Sequence, residues 1–411
     1  MVRSSCATLR AVRHVDILGI FRKRILTGTL LCLAVLCLPL SSARAEEPPA
    51  TLSDDTTSAE STGFYWHPTS IGSDSQFNPL TALLNGSFDI LRNPAYQDTL
   101  TGVDYQGGAV NVFRNVTHPF DALGHIGWGH FAAHEVFPFR GLDTQYGQFV
   151  PNWFMHGLGE GMLYRKLEDW YAYKGVKHPR VLAILTTTAL QYVNEITENG
   201  SFRGPNQDPI ADMLIWNPLG LVLFSFEPIA RFFKGPVKLN YWPGQAVIAN
   251  GLRIYNQSEN YAFKVTLGLP IDLRFFMYYG KEGLFGLTGP LNKHDNLSVS
   301  LGPALKGMTQ TMVGDGTARM FIPGTQLIWE TGIFWDRDES LVASLIAGLT
   351  EQQSVHLNVY PGLWEWNGWA LGGYARWALG EGTSAGVTLR GSAMGLGLMS
   401  AANDHPLSYL H

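Results

Sequence analysis

From residue 261 to residue 390 the chain alternates apolar and polar residues in short runs, which is the period of a β-strand with two unlike faces. In Asn296–Gly302, Leu297, Val299 and Leu301 share one face and Ser298, Ser300 and Gly302 the other. Residues 327–335, 341–349, 355–360, 369–379 and 385–390 repeat the pattern. Polar turns separate them, among them Asp336-Arg337-Asp338-Glu339, Glu351-Gln352-Gln353 and Gly380-Glu381-Gly382. Short turns between alternating runs predict an antiparallel meander. Residues 261–279 keep one parity through Pro270. A proline inside a central strand removes a ladder hydrogen bond, so a turn is expected there.

Two architectures use such strands. A soluble sandwich buries the apolar face, whereas an outer-membrane barrel turns it toward lipid and pairs every backbone group by closing. The N-terminal sequence favours the barrel. Arg22, Lys23 and Arg24 precede the apolar run Ile25 to Leu40, and Ala43-Arg44-Ala45 follows. That order reads as a secretory signal peptide over 1–45, because the run is shorter than the ~20 residues of a spanning helix. The long basic region before it leaves the true start codon open. Cys6, Cys32 and Cys37 all lie in this leader. Cleavage therefore removes disulfide and thiolate chemistry from the mature chain.

Charged residues make up 15% of the chain, against about 25% in soluble domains. A net charge of −5 gives no basic footprint for nucleic acid. Mean hydropathy is zero, which argues against a polytopic helical membrane protein. A barrel is compatible with it, since its two faces cancel in the average. Trp335, Trp364, Trp366, Trp369 and Trp377 fall near strand ends, as in the aromatic girdles of barrels.

The expected fold class is an α+β membrane protein: a helical unit of about four short helices followed by an antiparallel outer-membrane-type β-barrel of about eight or more strands. Residues 46–62 are acidic, without a basic residue, and read as a disordered linker. Residues 63–116 are Gly- and Asn-rich, with a first strand expected around 103–113. The helical unit spans 117–235, with helices near 121–136, 153–173, 180–198 and 209–233 set apart by Gly and Pro. The barrel occupies 236–400 and a tail 401–411.

The helical unit concentrates histidines and carboxylates at helix-face spacing. His130 and His134 are four apart, as are His156 and Glu160; Glu195 and Glu198 are three apart. Bundles bind metals with this geometry, which makes His130, His134, His156 and Glu160 candidate ligands and Glu135 or Glu198 the candidate base. His134-Glu135 lacks the second histidine of a zinc-protease helix, since Val136, Phe137 and Pro138 follow. Buried structural polar roles are the simpler reading, so no cofactor is expected and a divalent metal is the alternative. No Gly-x-Ser-x-Gly or phosphate-loop motif occurs, and Gly157, Gly159 and Gly161 suit close helix packing. Arg203, Arg231 and His118 are the expected partners of any buried carboxylates.

His118-Pro119, the pair Glu195 and Glu198, Asp208-Pro209-Ile210-Ala211-Asp212 and Trp216-Asn217-Pro218-Leu219-Gly220 form an ordered set. Over about residues 111–233 this set resembles a bacterial envelope family catalogued as domain of unknown function 3943. The sequence departs from that family around Glu195, which Asn194 and Ile196 flank in place of a more aromatic context. The resemblance implies an envelope location and no assigned activity. It draws attention to His118, Glu195, Glu198, Asp212 and Asn217.

The leading functional expectation is a non-enzymatic outer-membrane protein with a helical plug or cap, structural or passing a small molecule or lipid. Its partners would be outer-membrane lipid and the export and barrel-assembly machinery. The first alternative is an envelope metal-dependent hydrolase acting on lipid. The second is a soluble periplasmic binding protein.

Overall fold

A computed structural model of the protein describes residues 64–92, 99–140, 146–348, 354–378 and 382–400. The leader, the acidic linker, the C-terminal tail and the turns at 349–353 and 379–381 lie outside the described residues. The fold is mixed α+β: a helical unit and one large sheet of thirteen strands.

Helices begin earlier than the sequence suggests. Residues 103–113, expected as a strand, lie instead in the helix Tyr105–Thr117. The run Tyr105 to Phe113 has two glycines and strand-like aromatics. Its buried positions Gly108, Ala109, Val112 and Asn115 recur at helical spacing, however, and Asp104 caps the first turn by accepting from Gly107 N. A second early helix, Pro79–Phe88, starts where Asn78 accepts from Leu80 N and Thr81 N. Downstream, Glu160–Tyr173 and Pro179–Asn199 are continuous helices. The stretches expected as helices near 121–136 and 209–233 are broken into several short pieces.

The strands run β1 (Asn240–Tyr241), β2 (Val247–Ala249), β3 (Arg253–Tyr255), β4 (Tyr261–Thr266), β5 (Arg274–Tyr279), β6 (Gly283–Pro290), β7 (Asp295–Val313), β8 (Ala318–Arg337), β9 (Ser340–Gly348), β10 (Ser354–Trp366), β11 (Trp369–Ala378), β12 (Gly382–Leu389) and β13 (Gly395–Met399). Their order is β1-β4-β5-β6-β7-β8-β9-β10-β11-β12-β13-β2-β3. Neighbours are antiparallel except β13 and β2, which are parallel. The expected turn around Pro270 separates β4 from β5.

The two faces of the sheet are inverted relative to a soluble core. Ser298 and Ser300 are 0% and 4% exposed, whereas Val299 and Leu301 between and beyond them are 52% and 48% exposed. The same holds across β8 to β12, where Leu345, Leu357, Leu371 and Val387 are exposed and Ser344, Asn358, Ser384 and Thr388 are buried. On the buried side Trp242, Phe276, Tyr278, Phe334 and Tyr360 form an aromatic cluster. Beside it Lys264 is fully buried between Asp336 (2.8 Å) and Glu339 (2.6 Å). Trp364, Trp366 and Trp369 stand outward at the hairpin joining β10 to β11.

The helical unit packs on the outward-facing side, against β1, β4 and β5. Tyr241, Tyr261, Phe263, Met277 and Tyr279 join helical residues Met162, Leu163, Leu167 and Leu190 in one core. Phe154 lies against Phe263 and Tyr279. The expected close packing of glycines is present. A side chain at Gly159 would meet the Tyr261 ring, and one at Gly161 would meet Phe224. β7 and β8 are far longer than their neighbours, and beyond Leu305 no other named strand pairs with them. This hairpin extends roughly 25 Å past the sheet and reaches the helices, where Asp315 pairs with His125 and Arg319 N donates to Pro205 O.

Gly159→Ala forces the buried Tyr261 ring off its seat, so stability is expected to fall by about 1–3 kcal/mol. A shift in the thermal or denaturant midpoint checks this. An unchanged midpoint would mean that helix and strand do not meet there.

Candidate metal centre in the helical unit

Four stretches of the helical unit converge on one buried polar cluster. Three of them are π-helical: Ala132–Val136, Asn152–Gly159 and Asp212–Trp216. A π-turn inserts one extra residue, re-aims the side chains of that turn, and is frequent at functional sites. Here the three π-turns carry His134 and Glu135, Asn152 and His156, and Asp212. The fourth stretch is the end of Pro179–Asn199, which presents Glu195 and Glu198. Gly200 closes that helix with φ 52°, a left-handed conformation that glycine adopts without strain.

Glu195, Asp208 and Asp212 bring one carboxylate oxygen each within 4.8 Å of one another. All three are buried. His156 joins them, with Nε2 at 3.1 Å from Asp212 Oδ2 and Nδ1 at 2.7 Å from Glu160 Oε1. A neutral imidazole has one N–H. If Nδ1–H donates to Glu160, the Nε2 lone pair faces a carboxylate oxygen, and a carboxyl proton or a cation must lie between them. Two ligands of a tetrahedral ion with bonds of 2.0–2.1 Å sit about 3.3 Å apart, close to the observed spacing. The Glu160–His156 contact then acts as the outer hydrogen bond that fixes a ligating imidazole.

Glu135 forms the adjoining wall. It faces His134 Nδ1 at 2.8 Å and accepts from Asn152 Nδ2 at 2.9 Å. Gln207 Nε2 lies 2.9 Å from His134 Nδ1. Trp153 and Trp216 hold the surrounding backbone by donating to Val136 O and Glu135 O. From the sheet side Glu259, bonded to Tyr261 OH, faces His156 and Glu160.

Positive charge is scarce around this cluster. Among the described residues one guanidinium, Arg319 of β8, faces it, and its Nη1 and Nη2 donate to the backbone oxygens of Asn199 and Glu198. Arg203 and Arg231, the expected partners, are engaged elsewhere with Asp104 and Glu227. Burial pushes Glu160, Glu195, Glu198 and Asp212 well above the ordinary carboxylate range, and mutual repulsion adds to the shift in the last three. Asp208 rises to about 6 through burial and the neighbouring Glu135. Burial lowers His156 and favours its neutral, ligating form. Oδ1 of Asp208 and Oε2 of Glu160 are buried without a hydrogen-bond donor, and the oxygens of Glu195 and Oδ1 of Asp212 can bond only to each other, through a shared carboxyl proton. Buried carboxylates of this kind are costly unless protonated or paired, and Glu195, Asp208 and Asp212 could hold a divalent cation.

The sequence candidates divide. His134, Glu135, His156, Glu160, Glu195, Glu198 and Asp212 are brought together. His130 is half-buried at the rim, stacked on His134. Asn217 is buried nearby, with neither amide atom partnered. His118 is exposed, bonded to Thr117 at the junction of two helices, and lies outside the cluster. Sequence reasoning missed Asp208, whose signal was its four-residue spacing to Asp212 within one helical turn. It also missed Asn152, Gln207, Glu259 and Arg319; the last two lie beyond the helical unit and carry no local signal.

No family model, curated protein or solved structure matches the chain.

A carboxyl group whose folded pKa is raised binds its proton more tightly in the native state. Stability of the metal-free protein is then fullest below the unfolded carboxylate pKa and falls as pH rises. With Asp208 raised to about 6 and burial raising Glu160, Glu195, Glu198 and Asp212 as well, the thermal midpoint of chelator-treated protein is expected to drop from pH 4 toward pH 8. Saturating divalent metal should flatten that slope. A midpoint that rises over this range in the metal-free protein would contradict the arrangement.

Proposed function

We propose that the protein is a metal-dependent hydrolase of the cell envelope, anchored in the outer membrane by a β-barrel and acting on lipid. The observation that carries this reading is the buried cluster of Glu195, Asp208 and Asp212, whose carboxylate oxygens converge within 4.8 Å, with His156 Nε2 at 3.1 Å from Asp212. A divalent ion held there supplies Lewis acidity and a water of lowered pKa. Glu135, oriented by Asn152, is the residue proposed to take the proton from that water. The ester is cleaved to acid and alcohol, with the proton returned to the leaving oxygen.

Closure of the sheet is the second element of the proposal. β1 and β2 belong to one run, 240–249, and β3 and β4 to another, 253–266. Between the named strands Trp242 N donates to Asn260 O and Gly244 N to Ser258 O, so the two runs are paired along their length. The first and last members of the strand order are then the same pair, which supports a sheet that returns on itself. Counted this way the proposed barrel would have eleven strands, the thirteen named ones less the two joined into longer runs. An odd up-and-down count makes the closing pair parallel, which agrees with β13 beside β2.

The inverted faces support a bilayer as the surroundings of the strands. The aromatic cluster around Phe334 and Tyr278 favours a filled interior, and hence an anchor over a conduit. The helices flank the outward face beside Val265 and Phe285, and Phe137, Leu214, Leu219 and Val222 extend the exposed apolar surface onto them. That shared surface supports lipid as the substrate class.

Two measurements test the reading. Unheated protein should migrate differently from boiled protein on a gel, as closed barrels do; identical migration would count against closure. Metal-loaded full-length protein in detergent should release acid or alcohol from phospholipid or lipopolysaccharide. Asp212→Asn should slow this by about 100-fold, whereas His118→Ala should leave it intact. Metal-loaded wild type inert toward every envelope lipid would overturn the assignment.

A further inference from the structure

We infer that the helical unit is itself seated in the bilayer beside the barrel, with two helix faces turned to lipid. The inference rests on the membrane part of the reading above, independently of the metal, and extends the lipid-facing surface to named residues outside the strands.

The helix Glu160–Tyr173 is the middle one of three. On one side Tyr171 OH meets Thr186 Oγ1 of Pro179–Asn199 at 2.7 Å. On the other, a side chain at Gly161 would meet Gly220 and Phe224 of Asn217–Ser225. Glu160 to Leu167 are buried throughout. The two outer helices each keep a free face. Val181, Leu182, Ile184 and Leu185 are exposed on the first; Leu219 and Val222 are exposed on the second, with Leu214 and Phe226 at its ends. Single exposed apolar residues are ordinary, but contiguous apolar faces mark a partner or a membrane.

Charge placement selects the membrane. No charged residue lies between Arg180 and Glu195, or between Asp212 and Glu227. Each stretch is about 21 Å long as α-helix, against an apolar band of about 25 Å on an outer-membrane barrel. The two stretches are bounded together at both ends. At one end Glu195 and Asp212 meet in the acidic centre. At the other, a belt of ion pairs crosses all three helices: Arg180–Glu168 (3.0 Å), Glu168–Arg165 (3.6 Å), Arg165–Glu227 (3.0 Å) and Glu227–Arg231 (2.9 Å). Beside that belt Lys174 lies over Trp170 and Tyr173, and Trp and Tyr are the residues enriched at membrane–water interfaces. The free faces also continue the outward surface of the sheet. Leu221, Leu223 and Phe275 join the core around Phe263, and Phe275 stacks on the exposed Phe285 at 6.3 Å. Among the described residues no single helix is long and apolar enough to cross a membrane by itself, so these helices enter lipid with the strands at their back.

The test uses the full chain with Cys6, Cys32 and Cys37 replaced by alanine, since no other cysteine is present. Leu185→Cys, Val222→Cys and, as the strand reference, Val299→Cys are made singly and verified as folded by circular dichroism. Each is labelled with a fluorophore and reconstituted in phosphatidylcholine vesicles. Quenching by lipid with a nitroxide on its acyl chain is compared with quenching by aqueous iodide. Both helix positions are expected to match Val299→Cys, quenched by the lipid and shielded from iodide. With Val299→Cys in lipid and either helix position open to iodide, the inference is overturned and the barrel stands. Helix positions shielded from both quenchers are covered by a second copy of the chain, which overturns it equally. Val299→Cys open to iodide would overturn the barrel reading and this inference with it.

Discussion

Carboxyl groups taken out of water must keep their protons or find positive charge, and much of the helical unit is arranged around that requirement. Glu195 and Glu198 end one helix, Asp208 and Asp212 begin another, and Glu135 and Glu160 come from two more. No regular α-helix would aim all of them at one point. The three π-turns supply the missing rotation, and the glycines at 157, 159, 161 and 220 let the segments approach. The packing thus serves an electrostatic arrangement that is unfavourable by itself.

The sheet poses the reverse problem, with its apolar side chains outside and its serines, asparagines and ion pairs inside. Lys264 between Asp336 and Glu339 is a compensated buried charge, unlike the carboxylates of the helical unit. The contrast separates a structural ion network from a site. Where charges pair fully, they fix one arrangement of the strands; where they do not, as at Glu195, Asp208 and Asp212, the groups could hold a cation.

The alternation of residues 296–302 and 341–349 made the strands, their faces and the antiparallel meander legible in the sequence, because a period of two is a local property. The turn at Pro270 followed from the same rule. The helix Tyr105–Thr117 was not legible, since its buried face consists of Gly, Ala and Asn and carries little apolar contrast. Paired spacings identified His156 with Glu160 and Glu195 with Glu198, yet nothing local told that these pairs meet. His118 shared their chemistry and motif order but caps a helix junction in solvent. The resemblance to an envelope family and the export signal remain statements about the sequence.

The hairpin of β7 and β8 gives the site a history. Arg319 reaches Glu198 and Asn199 from about 120 residues further along the chain. A chain emerging from its N-terminus presents the acidic helices long before the hairpin exists. Until the strands have paired, the carboxylates lack their guanidinium neighbour and the sheet-borne Glu259. The centre is therefore finished last, by strands that follow the acidic helices in the chain. The acidic cluster is thus completed only when a segment distant in sequence has folded.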